Sequence, residues 1–590
     1  MLKCSSLLVL PILFVSLSAM AQPSGYLIAT STAVRDGTVE CADSCVTDAD
    51  CFEDQCIDAF LDGPGQTATR ICGQRRFGHL DLSEYQACSA SLCGVEQACL
   101  RSPGLLELER FVTHKRSRGF DVHVFTSTAW GGGEGQAAAD NLRNWLTTIT
   151  PALAIEYVLL IGDPRPNVGP LPMKKTWPEH NAQQTWATPN SAVPTDYYYA
   201  DLRGDWDLDG DGFPGEWGDI NEAESVRGDF GPGGIERAYT VKVGRIPWYG
   251  PANSSEVDHI LSKTIAYQDA DPASIQWRKS ALVAAEGENR FFFGESIRTD
   301  VLEPNGYGSY RVYDAHCLER EASGGAACQS PIDGIPDALE CTPQNVIDGL
   351  DTSPPGMVFW LTHGSGQGAI SVMSTALTPR LDDSKPVFTF QASCYNSQPE
   401  TQNNVSYALL KNGAINTIGA TRISHGPGSP VSLPNTAGNA GMAYEYARRL
   451  VVERQNSGTA LMELKQNLPL ENRWWYWKNL CGFNIYGDPE VGIHDVHIEP
   501  PPPPPDAGFT ADAASVLDVG HEADARSFED AQLPSPDAQI IAEPTDAGVR
   551  PLMMAKTDDC SCTASTTESS SLAWLIVFAA FACIRLRPRV

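Results

Sequence analysis

Residues 357–366 read MVFWLTHGSG, and residues 387–397 read VFTFQASCYNS. In each, a run of apolar and β-favouring residues drives into a side chain with chemistry of its own. The first ends on His363 followed by Gly364, the second on Cys394. Runs apolar on both faces suit strands buried inside a parallel sheet. In open sheets of that kind, reactive groups gather beyond the carboxyl ends of the strands. The 31 residues separating His363 from Cys394 hold a turn, a helix-compatible stretch at 371–380 and a strand. That is about the length of a right-handed crossover between parallel strands. The spacing predicts His363 and Cys394 on one edge of the sheet, on nearby strands.

Such a pair makes a cysteine nucleophile. The thiolate is the reactive form, and a neighbouring imidazole can take its proton or stabilise the anion. Gly364, lacking a Cβ, lets its backbone N–H come close to a substrate carbonyl, as an oxyanion donor must. The amide of Cys394 offers a second donor. Glu286 or Glu288, at the end of SALVAAEGE, is a candidate carboxylate to orient the imidazole. A second histidine–glycine pair, His425-Gly426, lies five residues past GAINTIGA (413–420) and reads as a loop lining the cleft.

Working outward, strand-like and helix-like segments alternate. YLIATS (26–31), DVHVFTS (121–127), YVLLIG (157–162), ERAYTVKVGRIP (236–247) and SALVAAEG (280–287) have strand character. LLELERFVTHKRSRG (105–119), AAADNLRNWLTTI (137–149), SEVDHILSKTIAYQ (255–268), AGMAYEYARRLVVERQ (440–455) and SGTALMELKQNL (457–468) are helical in pattern. Alternation of this kind predicts an α/β domain with a mainly parallel sheet covered on both sides. GFNIYGDPEVGI (482–493) closes it.

Both ends differ from this middle. Residues 1–21 carry Lys3, an apolar run from Leu7 to Leu17 and small residues at Ala19 and Ala21, the pattern of a secretory signal cleaved after Ala21. Residues 496–559 are rich in Pro, Asp and Ala and read as an extended linker between the 22–495 domain and the C-terminus. Residues 560–590 combine a Cys-Ser-Cys pair, an apolar run at Leu572–Ile584 and three arginines. This tail resembles the tripartite sorting tags of myxobacterial surface proteins; a permanent transmembrane tail anchor is the alternative. The expected location is the cell surface or the medium.

Export sets the reading of the 17 cysteines, since disulfides belong to oxidising compartments. Eight (Cys41, Cys45, Cys51, Cys56, Cys72, Cys88, Cys93, Cys99) crowd a 36–100 insertion, read as disulfide-stapled, with a zinc cluster as the alternative. Cys317, Cys328, Cys341 and Cys481 form a second even set, which leaves Cys394 unpaired. The net charge of −31 excludes a nucleic-acid partner, which needs clustered Lys and Arg.

Residues 205–216, DWDLDGDGFPGE, match the calcium-loop pattern with Asp205, Asp207, Asp209, Gly210 and Glu216 at positions one, three, five, six and twelve. Asp211 would contribute its backbone carbonyl. The flanks lack paired helices, so a structural Ca2+ in an EF-hand-like loop is expected.

The ordered blocks YVLLIGDP, PTDYYYADL, VGRIP, VAAEG, WLTHGSG, QASCYNS, GAINTIGATR and FNIYGDPEV resemble the gingipain-type cysteine peptidases, across roughly 26–35 and 103–495. The resemblance implies a caspase-like three-layer α/β sandwich, in two subdomains, that hydrolyses peptide bonds. It carries the nucleophile onto Cys394, the general base and then acid onto His363, and the oxyanion donor onto Gly364. The chain departs from that family's pattern in three respects: no propeptide between the signal and Tyr26, no immunoglobulin-like domain, and the added cysteine-rich insertion. A sorting transpeptidase of the same fold and a non-catalytic, calcium-stabilised surface binding protein are the competing expectations.

Overall fold

The computed structural model describes residues 23–36 and 104–497, apart from 180–191, 218–227, 289, 329–331, 427–432, 435 and 471–472, together with the backbone of five short strands between 39 and 101. The signal, the linker, the tail and the side chains of the cysteine-rich insertion lie outside the described residues.

Ten strands form one sheet: β1 (Gly25–Thr30), β2 (Asp121–Thr126), β3 (Ile155–Gly162), β4 (Lys242–Pro247), β5 (Ser280–Ala285), β6 (Gly308–Tyr313), β7 (Met357–Leu361), β8 (Val387–Ala392), β9 (Ala414–Ala420) and β10 (Phe483–Tyr486). Their order across the sheet is β6-β5-β7-β8-β9-β10-β4-β3-β1-β2. Every pairing is parallel except β9 with β10. The sheet is therefore two parallel halves of opposite sense. Ala420, at the end of β9, pairs with Phe483, at the start of β10. The carboxyl edge of the β5–β9 half thus adjoins the amino edge of the β1–β4 half. This is the α/β architecture expected from the sequence, and the reversal at β10 accounts for its two halves.

Period-two alternation sorts the strand residues onto two faces. Leu27, Val158, Val243, Phe359 and Phe390 lie in one core with helices α2 (Gly135–Ala152), α6 (Asn439–Val451), α7 (Ser457–Asn467) and α8 (Trp474–Gly482). Tyr26, Ile28, Leu159 and Ile246 pack on the other face under α1 (Leu108–Ser117), α3 (Ser254–Gln268) and α5 (Val405–Lys411). Beside them, Val358, Trp360 and Val387 pack with α4 (Pro343–Thr352). Three layers result.

Several of the sequence blocks prove to be internal struts. Arg245 of VGRIP, fully buried, donates two hydrogen bonds to Asp196 of PTDYYYADL, at 2.8 and 2.6 Å. Asp488 of YGDPEV accepts from the Tyr26 hydroxyl at 2.7 Å and pairs with buried Lys115 at 2.5 Å. A buried charge persists only when paired in this way.

Some expectations change. The stretch 371–380, expected to be helix-compatible, joins a small antiparallel sheet (364–365, 368–369, 373–374) and a single 3-10 turn at Thr378–Arg380. Ser371 and Ser374 compete for backbone hydrogen bonds, Val372, Thr375 and Thr378 lose rotamer freedom in a helix, and Pro379 cannot donate to one. Among the second cysteine set, Cys317 and Cys328 form a disulfide, whereas Cys341 and Cys481 are free and buried. Buried in apolar surroundings, these two thiols behave as small hydrophobic side chains. Among the described residues, no helix is long and apolar enough to cross a membrane.

Candidate active site

The register between β7 and β8 pairs Leu361 with Ala392. His363 and Cys394 each lie two positions beyond that pair, so both leave the sheet at the same edge, on adjacent strands. Trp360 and Ser393 meet across the same pair of chain segments, where the indole Nε1 donates to Ser393 Oγ at 3.1 Å. The strand ends that carry the two residues are neighbours. Gly364 closes the gap between the two strand ends. A Cβ built on it would lie 2.4 Å from the Cys394 carbonyl oxygen and 3.0 Å from Ser393 Cβ. Only glycine fits there.

The chain turns sharply after the cysteine. Tyr395 adopts φ +60°, the left-handed region that a bulky residue enters only when its surroundings impose it. Its N–H bonds to Arg422 O at 3.0 Å, and Arg422 in turn forks onto Glu400 at 3.1 and 2.6 Å. Asn396 ties the turn to the histidine hairpin, donating to Ser365 O at 2.8 Å and Gly368 O at 3.2 Å. The segment after β9 forms the remaining wall. The Ser424 N–H points at Cys394 Sγ at 3.4 Å, and its carbonyl oxygen lies 3.7 Å from the same sulfur. His425 lines this wall, as expected, but its ring takes no part in a dyad. Burial, then Lys478, pushes its pKa down to about 3. Its backbone is clamped by Asn479 of α8 at 2.8 and 2.7 Å.

Around His363 the surprise is Arg290. Its Nη2 donates to His363 Nε2 at 2.9 Å while Nη1 holds Glu286 at 3.0 Å. Glu286 therefore reaches the imidazole through a guanidinium. Burial, then Arg290, lowers the His363 pKa, and Glu286 opposes both. Glu288 is gripped by Arg320 through two 2.6 Å bonds and is not the orienting group.

The expectation of an unpaired Cys394 is overturned. Its sulfur is held in a disulfide. None of the other cysteines with described side chains is the partner, because Cys317 and Cys328 bond each other and Cys341 and Cys481 are free. The sequence count failed because it took Cys317, Cys328, Cys341 and Cys481 as a self-contained even set on parity alone.

In the acidic loop, carboxylate oxygens of Asp207, Asp209 and Asp211 lie within 4.8 Å of one another. Asp211 thus brings its side chain, not only a carbonyl. Asp205 stands outside that trio and accepts from the Asp207 N–H at 3.2 Å. Gly210 and Gly212 take φ +75° and +87°, turns that favour glycine. Glu216 is buried, and burial with Asp211, Asp209 and Asp229 around it raises its pKa to about 9. Asp229, unread in the sequence, knits the loop by accepting from the Leu208, Gly215 and Glu216 amides at 2.5, 2.7 and 3.2 Å. An all-oxygen, like-charged donor set suits a hard divalent cation. The loop is moored to the active-site wall. Trp477 of α8 donates to Gly215 O at 2.8 Å, two residues before the Asn479 that clamps His425.

The profile of peptidase family C25 matches residues 103–494. The chain belongs to peptidase family C25. As a C25 peptidase it is a cysteine-type hydrolase, which excludes the non-catalytic reading. Among solved structures it resembles the complex of Porphyromonas gingivalis RgpB pro- and mature domains, at 16% identity over 66% of this chain and 77% of that chain, TM-score 0.46. It also resembles the Arg specific cysteine proteinase gingipain R (RGPB), at 16% identity over 66% and 76%, TM-score 0.45. No curated protein matches the chain.

Proposed function

We propose that this C25 peptidase is an exported cysteine endopeptidase in which Cys394 and His363 form the catalytic dyad. The observation that carries the reading is their placement two residues beyond the paired Leu361 and Ala392, with Gly364 pressed against the Cys394 carbonyl. In the reduced enzyme, His363 takes the thiol proton and the thiolate attacks the substrate carbonyl carbon. Backbone amides at Gly364 and Cys394 would receive the oxyanion. Collapse breaks the C–N bond, His363 returns its proton to the departing amine, and a thioester remains. Water, deprotonated by the same imidazole, then hydrolyses the thioester and regenerates the thiol. The Ser424 N–H, aimed at the sulfur, favours the thiolate. Glu286, acting through Arg290, is a positioning group for the imidazole. Compared with wild type under reducing conditions, Cys394→Ala should abolish hydrolysis of a protein substrate while the unfolding midpoint is kept. Wild-type turnover by that variant would end the assignment. A transpeptidase would instead transfer the acyl group to an added amine, and mass analysis of products separates the two.

Asp207, Asp209 and Asp211, with Glu216, are the residues that would hold Ca2+. When bound, the ion neutralises the crowded carboxylates and fixes the loop; the dyad chemistry does not involve it. EGTA should lower the melting temperature, and indifference to EGTA would count against the site. Export rests on residues 1–21 and cell-surface delivery on residues 560–590. Edman sequencing of the secreted protein, expected to begin at Gln22, tests the first.

A further inference from the structure

The wall beside Cys394 carries side chains that the catalytic steps leave unused. Tyr395, the residue after the sulfur, is partly exposed. Burial raises its pKa, Arg422 opposes that shift and Glu179 adds to it, so both charged groups lie near the phenol. Glu179 is ion-paired with Lys478 of α8. The Lys478 ammonium stands 5.9 Å from the centroid of the Trp474 ring. Trp474 meets the His425 ring edge to face, at 5.5 Å between centroids. His425 follows Ser424, whose N–H points at the sulfur. The contacts form a circuit that leaves Cys394 through Tyr395 and returns to it through Ser424. The rings of Tyr395, His425 and Trp474 are all partly exposed along it. Trp475, also partly exposed, extends the aromatic surface at 5.6 Å from Trp474.

Charge around the dyad is matched within the chain. Glu179 is held by Lys478, Glu400 by Arg422, Glu286 by Arg290 and Glu288 by Arg320. Each of these carboxylates has its own cation, and the pairs sum to zero. His425 is neutral, its pKa pushed down to about 3 by burial and then by Lys478. A substrate lysine or arginine entering here would find the carboxylates already bonded and Lys478 and Arg422 beside it. Shedding its water without a partner is unfavourable. A large apolar side chain has no such penalty and gains by leaving water. An aromatic one can also take the edge-to-face geometry that ring pairs favour at about 4.5–7 Å.

We infer that the wall of Tyr395, His425 and Trp474 is a substrate subsite for a large apolar or aromatic side chain flanking the scissile bond. The enzyme then cuts beside such residues rather than beside arginine or lysine. The inference rests on reading Cys394 as the nucleophile, which puts the reacting carbonyl at the sulfur and a flanking side chain against this wall.

The test uses the full chain under dithiothreitol and a denatured protein of known sequence, with cut sites mapped by mass spectrometry. Cuts should cluster beside Phe, Tyr, Trp and Leu. In a matched pair of peptides, the one with Phe at that position should show kcat/KM about tenfold or more above the one with Arg. Trp474→Ala should shrink that ratio toward one, chiefly by raising KM for the Phe peptide, and Trp474→Phe should restore it. Cuts confined to Arg or Lys, or an unchanged ratio in a folded Trp474→Ala, would overturn the inference. Should Trp474→Ala not fold, the wild-type ratio decides alone. If Cys394→Ala still cuts, the dyad and the subsite read from it both fail. If that variant is inactive while the wild type cuts beside Arg or Lys, the dyad stands and the subsite fails.

Discussion

Substituting Gly364 by alanine puts the geometry at risk with a single methyl group. The added Cβ would sit 2.4 Å from the Cys394 carbonyl oxygen, against backbone that cannot rotate away. An ordinary carbon–oxygen contact is about 3.4 Å, so the two strand ends must part by roughly 1 Å. A misplacement of about 1 Å between reacting groups costs on the order of 10²-fold in rate. Overpacking also costs roughly 1–3 kcal/mol of stability. The same hairpin supplies a control. At Gly368 the nearest atoms to a new Cβ are Met373 O at 3.7 Å and Ser365 Oγ at 3.9 Å, which is ordinary contact. Measured on reduced protein with a peptide substrate, kcat/KM should fall about 100-fold for Gly364→Ala and stay within a fewfold for Gly368→Ala. Equal behaviour of the two variants, with Gly364→Ala at wild-type rate and melting temperature, would refute the shared rim of His363 and Cys394.

Arg290→Gln removes a positive charge that lowers the His363 pKa. His363 must be neutral to accept a proton, so activity falls as pH drops through its pKa. The wild-type acid limb should lie below the ordinary imidazole value of about 6.5 and move up toward it in the variant; an unmoved limb would contradict the contact. Lys465 is fully buried with no hydrogen-bond partner for Nζ and has its pKa pushed down to about 7, mainly by burial. Between about pH 7 and 10.4 the folded chain binds fewer protons there than the unfolded one, so this group's contribution to stability rises with pH. Lys465→Met should therefore gain up to about 4 kcal/mol at pH 7 and progressively less toward pH 10, read from urea midpoints. Trp477→Phe deletes the bond to Gly215 O and should cost about 1 kcal/mol, with a larger stability loss on adding EGTA than wild type shows; additive effects would uncouple α8 from the acidic loop.

Much of the site was legible because strand ends announce themselves. A continuous apolar run stopping at His363 or Cys394 fixes the edge from which each emerges, and the 31-residue gap fixes adjacency. Gly364 was legible too, though for oxyanion donation; its tight fit against Cys394 emerged only in three dimensions. Arg290, Tyr395, Ser424 and Asn479 carried no such mark. Each acts through a contact between segments distant in the chain or through a backbone angle, and neither leaves a local pattern in composition. The reversal at β10 was hidden for a related reason: a four-residue apolar strand reads alike in either direction. Cysteine pairing failed where parity stood in for geometry. Cys341 and Cys481 stay reduced in separate buried pockets of the fold, and Cys394 is drawn into a bond the count had excluded.

The most direct test of the dyad is covalent trapping of the reduced protein with a thiol-reactive peptide inhibitor, followed by peptide mapping. Cys341 and Cys481 are internal controls, since burial raises both thiols, Cys481 to about 12. One adduct on Cys394, formed at the rate at which activity is lost and slowed at least 100-fold in His363→Ala, is the result expected. Inactivation with the adduct on another cysteine, or full activity retained after Cys394 is modified, would contradict the account.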